Sequence, residues 1–345
     1  VPPPGARRLS IGGQYEHQAE ENRQQAITVQ PPANPIATDD MFEGSWSEAA
    51  AYVTYQFPFR GTKVLAGTRV ESRWHDIAGA ADDSDGSVHL FPSLHVERPL
   101  GERLTANLSY SSRIDWPNIS LLDPRLRFSD PTTARAGNPL LRPEKTHSLE
   151  LKLAAKAGGH EADVTGYYQR TRDLRSELVE LEGDVLVSRP VNLGRRISLG
   201  TSLNLRGPLA KGLRYRATAY LAHDKFNEPD LSGIDQAGTR YGASLELDYR
   251  DGVEGRAGAD RIRLTARYIG PSEDGLSKSS STVSADASWS HAIADRLSAV
   301  LTGSHVFKSP RISTFGQEVI SRTSFRANGP TINLALTYGL SPTGS

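Results

Sequence analysis

Cysteine is absent from the 345 residues. That excludes disulfides, zinc–thiolate centres and iron–sulfur clusters. It accords with an oxidising envelope without requiring one. Neither charge sign is in excess: 40 Lys plus Arg face 40 Asp plus Glu, for a formal net charge of +0. Strong nucleic-acid binders usually carry a basic surplus, so no nucleic-acid partner is expected. Long apolar runs are also missing. No window approaches the roughly 18 consecutive apolar residues of a transmembrane helix. Hydrophobic residues make up 37% of the chain, low for a globular enzyme of this length. A membrane β-barrel shares both traits, because its strands alternate and the mean hydropathy stays polar. No basic region followed by an apolar core opens the chain. Val1-Pro2-Pro3-Pro4-Gly5 reads as a linker, and the expectation is a removed leader or a piece of a longer protein.

What is there is a period of two. Leu104, Ala106, Leu108 and Tyr110 alternate with Thr105, Asn107, Ser109 and Ser111. Tyr241, Ala243, Leu245, Leu247 and Tyr249 alternate with Gly242, Ser244, Glu246, Asp248 and Arg250. Ile262, Leu264, Ala266 and Tyr268 alternate with Arg261, Arg263, Thr265 and Arg267. Successive side chains leave opposite faces of a pleated strand, so this pattern predicts strands and would be scrambled on a helix. About fourteen such segments occur, at 7–16, 47–58, 62–74, 87–98, 102–113, 147–156, 160–171, 195–206, 212–223, 240–250, 259–270, 280–291, 296–308 and 329–340. An extra hairpin is expected at 177–189, with Glu182-Gly183-Asp184 as its turn.

The connectors alternate in length. Short ones include Arg60-Gly61, Pro99-Leu100-Gly101 and Ala157-Gly158-Gly159, and the stretches 207–212 and 292–295. Long ones are 17–46, 75–86, 114–146, 172–194, 224–239, 271–279 and 309–328; the turn at 251–258 is long for its position. Outer-membrane barrels have short periplasmic turns and longer extracellular loops. That assignment puts both chain ends in the periplasm.

A soluble sandwich also alternates, with its apolar face turned inward. Three features favour the membrane barrel. The apolar faces are thin, with Ala217, Ala219, Ala285, Ala287 and Thr201 where a packed core needs bulk. Aromatic residues gather at both ends of these faces: Tyr55, Phe57, Tyr215, Tyr249, Trp289 and Tyr338 near the short turns, and Trp74, Tyr110, Tyr241, Tyr268 and Phe307 near the long loops. Two girdles are expected where amphipathic rings meet headgroups. Charge sits on the polar faces, and the apolar faces between the girdles carry none. The predicted fold class is therefore all-β: an antiparallel, up-and-down transmembrane β-barrel in the outer-membrane lipid.

One stretch carries a family likeness. Leu90-Phe91-Pro92-Ser93-Leu94 is followed by Leu108-Ser109-Tyr110-Ser111-Ser112-Arg113, then Asp115-Trp116-Pro117 and Asp130-Pro131. It ends in Gly137-Asn138-Pro139-Leu140-Leu141-Arg142-Pro143-Glu144, ahead of the strand from His147 to Leu153. This resembles the C-terminal barrel of TonB-dependent receptors, particularly the outer-membrane β-barrel subfamily. Asn192-Leu193-Gly194-Arg195 resembles another of its recurring elements. The resemblance implies energised uptake of a scarce ligand, such as a siderophore, a cobamide or a glycan. It also implies an N-terminal plug domain, a TonB-binding segment and about twenty-two strands. No plug or TonB box is legible here, so the chain is expected to be the later part of such a barrel, residues 1–345 forming wall and loops only. The residues beyond Tyr338 depart from the aromatic ending common in outer-membrane barrels.

The same motif has a plain physical reading. Pro139 and Pro143 hold their preceding residues extended, Gly137 permits positive φ, and Glu144 is placed to accept backbone N–H groups. Pro92, inside a strand, calls for a bulge or a local edge.

Sites of chemistry are few. Asp82-Asp83-Ser84-Asp85-Gly86 has the oxygen density of a calcium loop without its full twelve-residue pattern; Asp82, Asp83 and Asp85 are a weak metal candidate beside the simpler reading of a solvated loop. His89 and His95 share a face but stand six apart, and His291 and His305 lie on the apolar side. No hydrolase, zincin or phosphate-loop motif is present, so neither enzyme activity nor a cofactor is expected. A polar-face ladder of Arg214, Arg216, Arg261, Arg263, Arg267 and Arg296 faces Glu246, Asp248 and Asp286. Cross-strand bracing accounts for it; the alternative is that it holds a plug or steers an anionic solute. Two further functional readings stay open: a self-contained passive channel of about fourteen strands, and a structural or adhesive barrel.

Overall fold

The alternating segments all become strands. The computed structural model describes residues 7–28, 36–77, 88–192, 194–227, 236–252, 256–274, 277–309, 311–315, 321–325 and 329–339. In chain order the strands are β1 (Arg8–Thr28), β2 (Ile36–Phe59), β3 (Thr62–Ile77), β4 (Val88–Pro99), β5 (Leu104–Asp115), β6 (Arg127–Asp130), β7 (Thr133–Arg135) and β8 (Glu144–Ala157). Then come β9 (His160–Arg172), β10 (Arg175–Glu182), β11 (Val185–Asn192), β12 (Arg195–Ala210), β13 (Leu213–Asn227), β14 (Gln236–Asp251) and β15 (Asp260–Ile269). The last are β16 (Ser272–Asp274), β17 (Ser277–Ser279), β18 (Thr282–Ala294), β19 (Leu297–Lys308), β20 (Arg311–Phe315), β21 (Ser321–Phe325) and β22 (Thr331–Tyr338).

Fourteen of these form one up-and-down sheet, in the order β1-β2-β3-β4-β5-β8-β9-β12-β13-β14-β15-β18-β19-β22. They correspond one for one to the fourteen predicted segments. The chain divides into two compact units, one of residues 1–97, 109–148 and 171–195, the other of 98–108, 149–170 and 196–345.

In the second unit, register turns alternation into two chemically distinct surfaces. Leu213, Tyr249, Ile262, Trp289, Leu301 and Leu334 fall in one row across six strands. The next row on that face is Tyr215, Leu247, Leu264, Ala287, Gly303 and Ile332. The opposite face aligns Arg214, Asp248, Arg263, Ser288, Thr302 and Asn333. A sandwich would bury the apolar rows against a second sheet. Here Leu264 is 47% exposed and Trp289 43%. An apolar face left open by the protein needs lipid to cover it.

In the first unit, Arg60 and Gly61 both have positive φ, 48° and 76°. That is the two-residue hairpin turn whose twist matches its strands. Arg8 pairs with Gln56 near that turn. In the second unit Tyr338 pairs with Leu297, beside the turn at Asp295 and Arg296.

Several sequence expectations give way. The stretch 17–46 is not mainly loop: β1 and β2 stay paired from Arg8↔Gln56 to Thr28↔Ile36. At about 3.3 Å per residue, the 21 residues of β1 span roughly 70 Å, well over an apolar band of about 25 Å. Outside lipid neither face needs to be apolar, so His17-Gln18-Ala19-Glu20-Glu21 has no alternation to read. Pro92 needs no bulge towards β3, whose register runs unbroken through Thr68↔Pro92. A bulge occurs elsewhere: between Ala285↔Phe307 and Ala287↔Gly303, residue Asp286 faces three residues, His305 adopts φ 53°, and its N–H donates to Asp286 Oδ1 at 2.8 Å. The long turn 251–258 is fastened to β18 by Gly258 N–H on Ala292 O at 2.7 Å.

If lipid covers the Leu247–Leu264–Ala287 row, Leu264→Arg will destabilise the barrel by about 2–4 kcal/mol. Thr265→Arg on the other face will cost much less. Denaturant unfolding in detergent micelles, followed by heat-modifiable gel mobility, measures both; equal losses would contradict the assignment of faces.

Candidate functional site

The long connector 114–146 is a folded assembly with its own core, and it lies wholly in the first unit. Asn118 caps a single 3-10 turn, Ile119–Leu121, its side chain accepting from Leu121 N at 3.0 Å. The turn sets Ile119 and Leu122 into a cluster with Leu141 and with Phe42 and Trp46 of β2. Asp123 is 1% exposed. Arg125 clasps it through two parallel bonds, Nε to Oδ1 and Nη2 to Oδ2, both 2.9 Å. Burial alone would raise the Asp123 carboxyl; the Arg125 bonds outweigh it and hold the carboxyl below its usual range.

The Gly-Asn-Pro motif wraps this core. Gly137 N–H donates to Asp123 O at 2.6 Å, and Asn138 N–H donates to Leu121 O at 2.7 Å. A Cβ on Gly137 would sit 2.5 Å from Leu121 O and 2.6 Å from Asp123 O. Positive φ is therefore not the reason for glycine here; backbone crowding is. Asn138 Oδ1 accepts from Leu140 N at 2.9 Å, while its Nδ2 donates to Pro190 O at 3.1 Å. Leu141 enters the core, and Pro139 and Pro143 line a cavity of about 80 Å³ beside Trp116. Glu144 Oε1 accepts from Arg175 N at 2.6 Å, a partner on the next loop. Arg113 is exposed near the end of β5. Asn192 completes the lock: its Oδ1 accepts from Arg142 N at 2.7 Å and its Nδ2 donates to Arg142 O at 2.9 Å.

Beneath the assembly, β2 and β3 supply a buried ion network that sequence reasoning missed. Glu48 receives Arg69 Nη2 at 3.1 Å and Arg73 Nη2 at 2.8 Å. Glu71 receives Arg69 Nε at 2.9 Å and Trp116 Nε1 at 2.9 Å. The Arg73 guanidinium lies 3.9 Å from the Trp46 ring centre and 5.3 Å from that of Trp116. His89 packs its ring 5.4 Å from Trp116. The signal was present: Glu48, Glu71, Arg69 and Arg73 share the polar side of two predicted strands, and register sets Glu48 opposite Arg73.

A small separate sheet, β10-β11-β7-β6, joins the assembly's own β6 and β7 to the next loop. The predicted hairpin is there as β10 and β11, turning at Gly183 with φ 62°. Val187 and Ala134, 1% and 0% exposed, mark where β11 runs parallel to β7. A recess of about 400 Å³ opens against this sheet, lined by Arg127, Arg135, Arg175, Ser188 and Glu177 among others. None of these was singled out from sequence: β6 and β7 are too short to show a period, and the hairpin's own pattern does not say that β11 pairs with β7.

The polar ladder lies in the second unit. Asp248 gathers Arg250 Nε at 2.9 Å, Arg261 Nη2 at 2.6 Å and Arg263 Nη2 at 3.2 Å. Arg263 Nε is 3.8 Å from Glu246. Register sets Arg214 opposite Asp248, Arg216 opposite Glu246, and Arg267 opposite Ser244 and Ser284. Asp286 is spent on the bulge. Arg296 falls in the turn before β19 and is no part of the ladder. Arg261 and Arg263 border a recess of about 560 Å³ with Ser288 and Ser290. The calcium-loop candidates Asp82, Asp83 and Asp85 lie outside the described residues.

A family model described as "Outer membrane protein beta-barrel family" matches residues 3–338. No curated protein matches the chain in sequence. Among solved structures, the copper transporter OprC is similar with a TM-score of 0.69 at 13% identity, covering 96% of this chain and 54% of that one. The ferric yersiniabactin uptake receptor FyuA from Yersinia pestis gives 0.65 at 13%, covering 96% and 51%. A variant of the ferric enterobactin receptor PfeA from Pseudomonas aeruginosa gives 0.63 at 16%, covering 97% and 51%. The chain spans about half the length of these solved structures. At such identities the likeness is one of fold.

Two outcomes follow from the assembly. Gly137→Ala forces two carbonyl oxygens apart and should destabilise the loop by about 1–3 kcal/mol, read as faster amide exchange over 118–142 with the wall unchanged; wild-type protection in the variant would refute the crowding argument. Because the folded Asp123 carboxyl is depressed, its contribution is complete above the ordinary value of 3.8 and is lost as pH falls through the lower, folded value. Loop protection should therefore survive to below pH 3.8 and collapse under further acid. Asp123→Asn should remove that acid step; a variant that keeps it would show another group is responsible.

Proposed function

The chain belongs to the outer membrane protein β-barrel family, and from that premise we propose that it supplies wall and ligand-catching loops to an energised outer-membrane receptor. A plug domain would close the lumen, and an inner-membrane TonB complex would act through that plug. The single observation that carries this is the folded assembly on the 114–146 connector. A passive pore gains nothing from a loop with its own core, a buried bidentate Arg125–Asp123 pair and an asparagine lock to the next loop. A surface that must present fixed groups to a scarce solute gains a great deal, because ordering the loop in advance removes that cost from binding.

The spans of likeness support the same reading. A wall of fourteen strands that covers about half of each similar structure fits the later part of a barrel of about twenty-two strands with a plug before it. The short turns would face the periplasm and the 114–146 assembly the exterior, placing Arg8 and Tyr338 at the periplasmic side. The recess at Arg261 and Arg263 would then look into the lumen, where the ladder braces the wall and meets the plug. The ligand is a small molecule or glycan; the work is transport, not catalysis.

The test is uptake in cells with and without the energising complex. Intact cells expressing the native polypeptide should accumulate the ligand only when the inner-membrane complex is functional. Deleting residues 118–142 should abolish binding and uptake together. Diffusive uptake that persists without the complex would turn the account into that of a passive channel.

A further inference from the structure

The chemistry of the recess at the β10-β11-β7-β6 sheet narrows the class of solute. It measures about 400 Å³, within the range of small-molecule sites. Three guanidinium groups line it, from Arg127, Arg135 and Arg175, with one carboxylate, Glu177. The hydroxyls of Ser120, Ser176 and Ser188 complete the polar lining, and no aromatic ring is among the lining residues. A neutral sugar would call for an aromatic platform. A cation would meet an arginine surplus. An oxyanion would meet guanidinium donors.

The three arginines are not equally committed. Arg175 is held by Asp115, and its Nε lies 3.6 Å from Glu144, so two carboxylates more than neutralise its charge and fix its position. Arg127 Nη2 donates to the Ser120 carbonyl at 3.1 Å, which orients the group while leaving its charge unneutralised by that contact. Arg135 is 4.0 Å from Glu177, and its side chain is 72% exposed. Glu177 Oε1 instead accepts a hydrogen bond from the Ser188 hydroxyl. Such a long, exposed ion pair is worth little, and a better anion displaces it at small cost. The floor is rigid: Ala134, Ala136 and Val187 pack as a buried cluster, and Ala136 N–H donates to Ser188 O at 3.0 Å.

We propose that this recess binds a small solute bearing a carboxylate or phosphate group, with Arg127 and Arg135 as its charge-assisted donors and Arg175 as a fixed wall. Planar guanidinium forks suit both oxyanions. The proposal rests on the receptor reading above, and gives its loops a ligand class.

The experiment is titration calorimetry on the native polypeptide, purified from outer membranes in detergent. The probes are citrate, inorganic phosphate, maltotriose and spermidine. Citrate or phosphate should bind saturably and more weakly as salt rises, and the stronger of the two identifies the oxyanion. Arg127→Gln and Arg135→Gln should each weaken binding about tenfold, the loss of one charge-assisted pair. Arg189→Gln, on β11 of the same sheet but outside the recess, should leave it unchanged. Arg135 is largely exposed, so its replacement keeps the test sound where Arg127→Gln loosens the loop. Anion binding indifferent to both variants, its absence, or maltotriose binding lost in both variants would overturn the proposal. Energised uptake of a neutral solute in Arg135→Gln cells would overturn it while leaving the receptor reading intact. Anion binding in a protein whose uptake needs no energising complex would do the reverse.

Discussion

A backbone amide or carbonyl inside a bilayer has no water to bond, so each must find a partner in the protein. In a sheet that partner is always the next strand. Everything else in this chain depends on that constraint. Strands must lie side by side without interruption, which is why the fourteen wall strands follow sequence order with only loop strands left out. Their two faces then meet two solvents, which is why Leu264 and Thr265 differ as they do. The constraint ends where lipid ends. Beyond it β1 carries polar residues on both faces at His17–Glu21, and the 114–146 connector is free to build a core from Ile119, Leu122 and Leu141 against Phe42 and Trp46 of β2.

The loop assembly uses a different economy of bonds. Its backbone is satisfied by side chains and by distant turns. Asn138 and Asn192 act as detached pieces of backbone, each offering a carbonyl and an N–H where no strand can run. Burial of the Asp123 carboxylate is offset by Arg125, which meets it with two bonds. Below, Trp46 and Trp116 flank Arg73, Glu48 fixes that cation, and Glu71 holds Arg69 and the Trp116 N–H. Removing one partner of such a network leaves a buried charge, so the loop and the wall hold their shape together.

How legible this was follows from the range of each interaction. A period of two is local, so all fourteen wall strands could be read, as could the 177–189 hairpin with its Gly183 turn. The bulge at His305 could not, because two inserted residues keep the period of two in phase and look like ordinary strand until the partner is known. Strands β6 and β7, four and three residues long, show no period at all. β7 pairs in parallel with a strand some fifty residues on, a contact that no window reports. Gly137 was read as a conformational glycine, yet it is required by carbonyls of Leu121 and Asp123 that only the fold brings near. The family motif marked the place where the loop closes; it did not mark Arg127 or Arg135.

The central claim is that one face of this wall meets lipid and the other water. Because the chain has no cysteine, a single introduced thiol reports its own surroundings. The measurement is a scan along β14, from Ala243→Cys through Ser244→Cys, Leu245→Cys and Glu246→Cys to Leu247→Cys, in protein reconstituted into lipid bilayers. Each thiol is exposed to a membrane-impermeant, water-soluble maleimide. Labelling should alternate, strong at 244 and 246 and weak at 243, 245 and 247, with the weak sites open to a lipid-soluble reagent. Uniform labelling, or the opposite alternation, would contradict the barrel and with it the receptor built upon it.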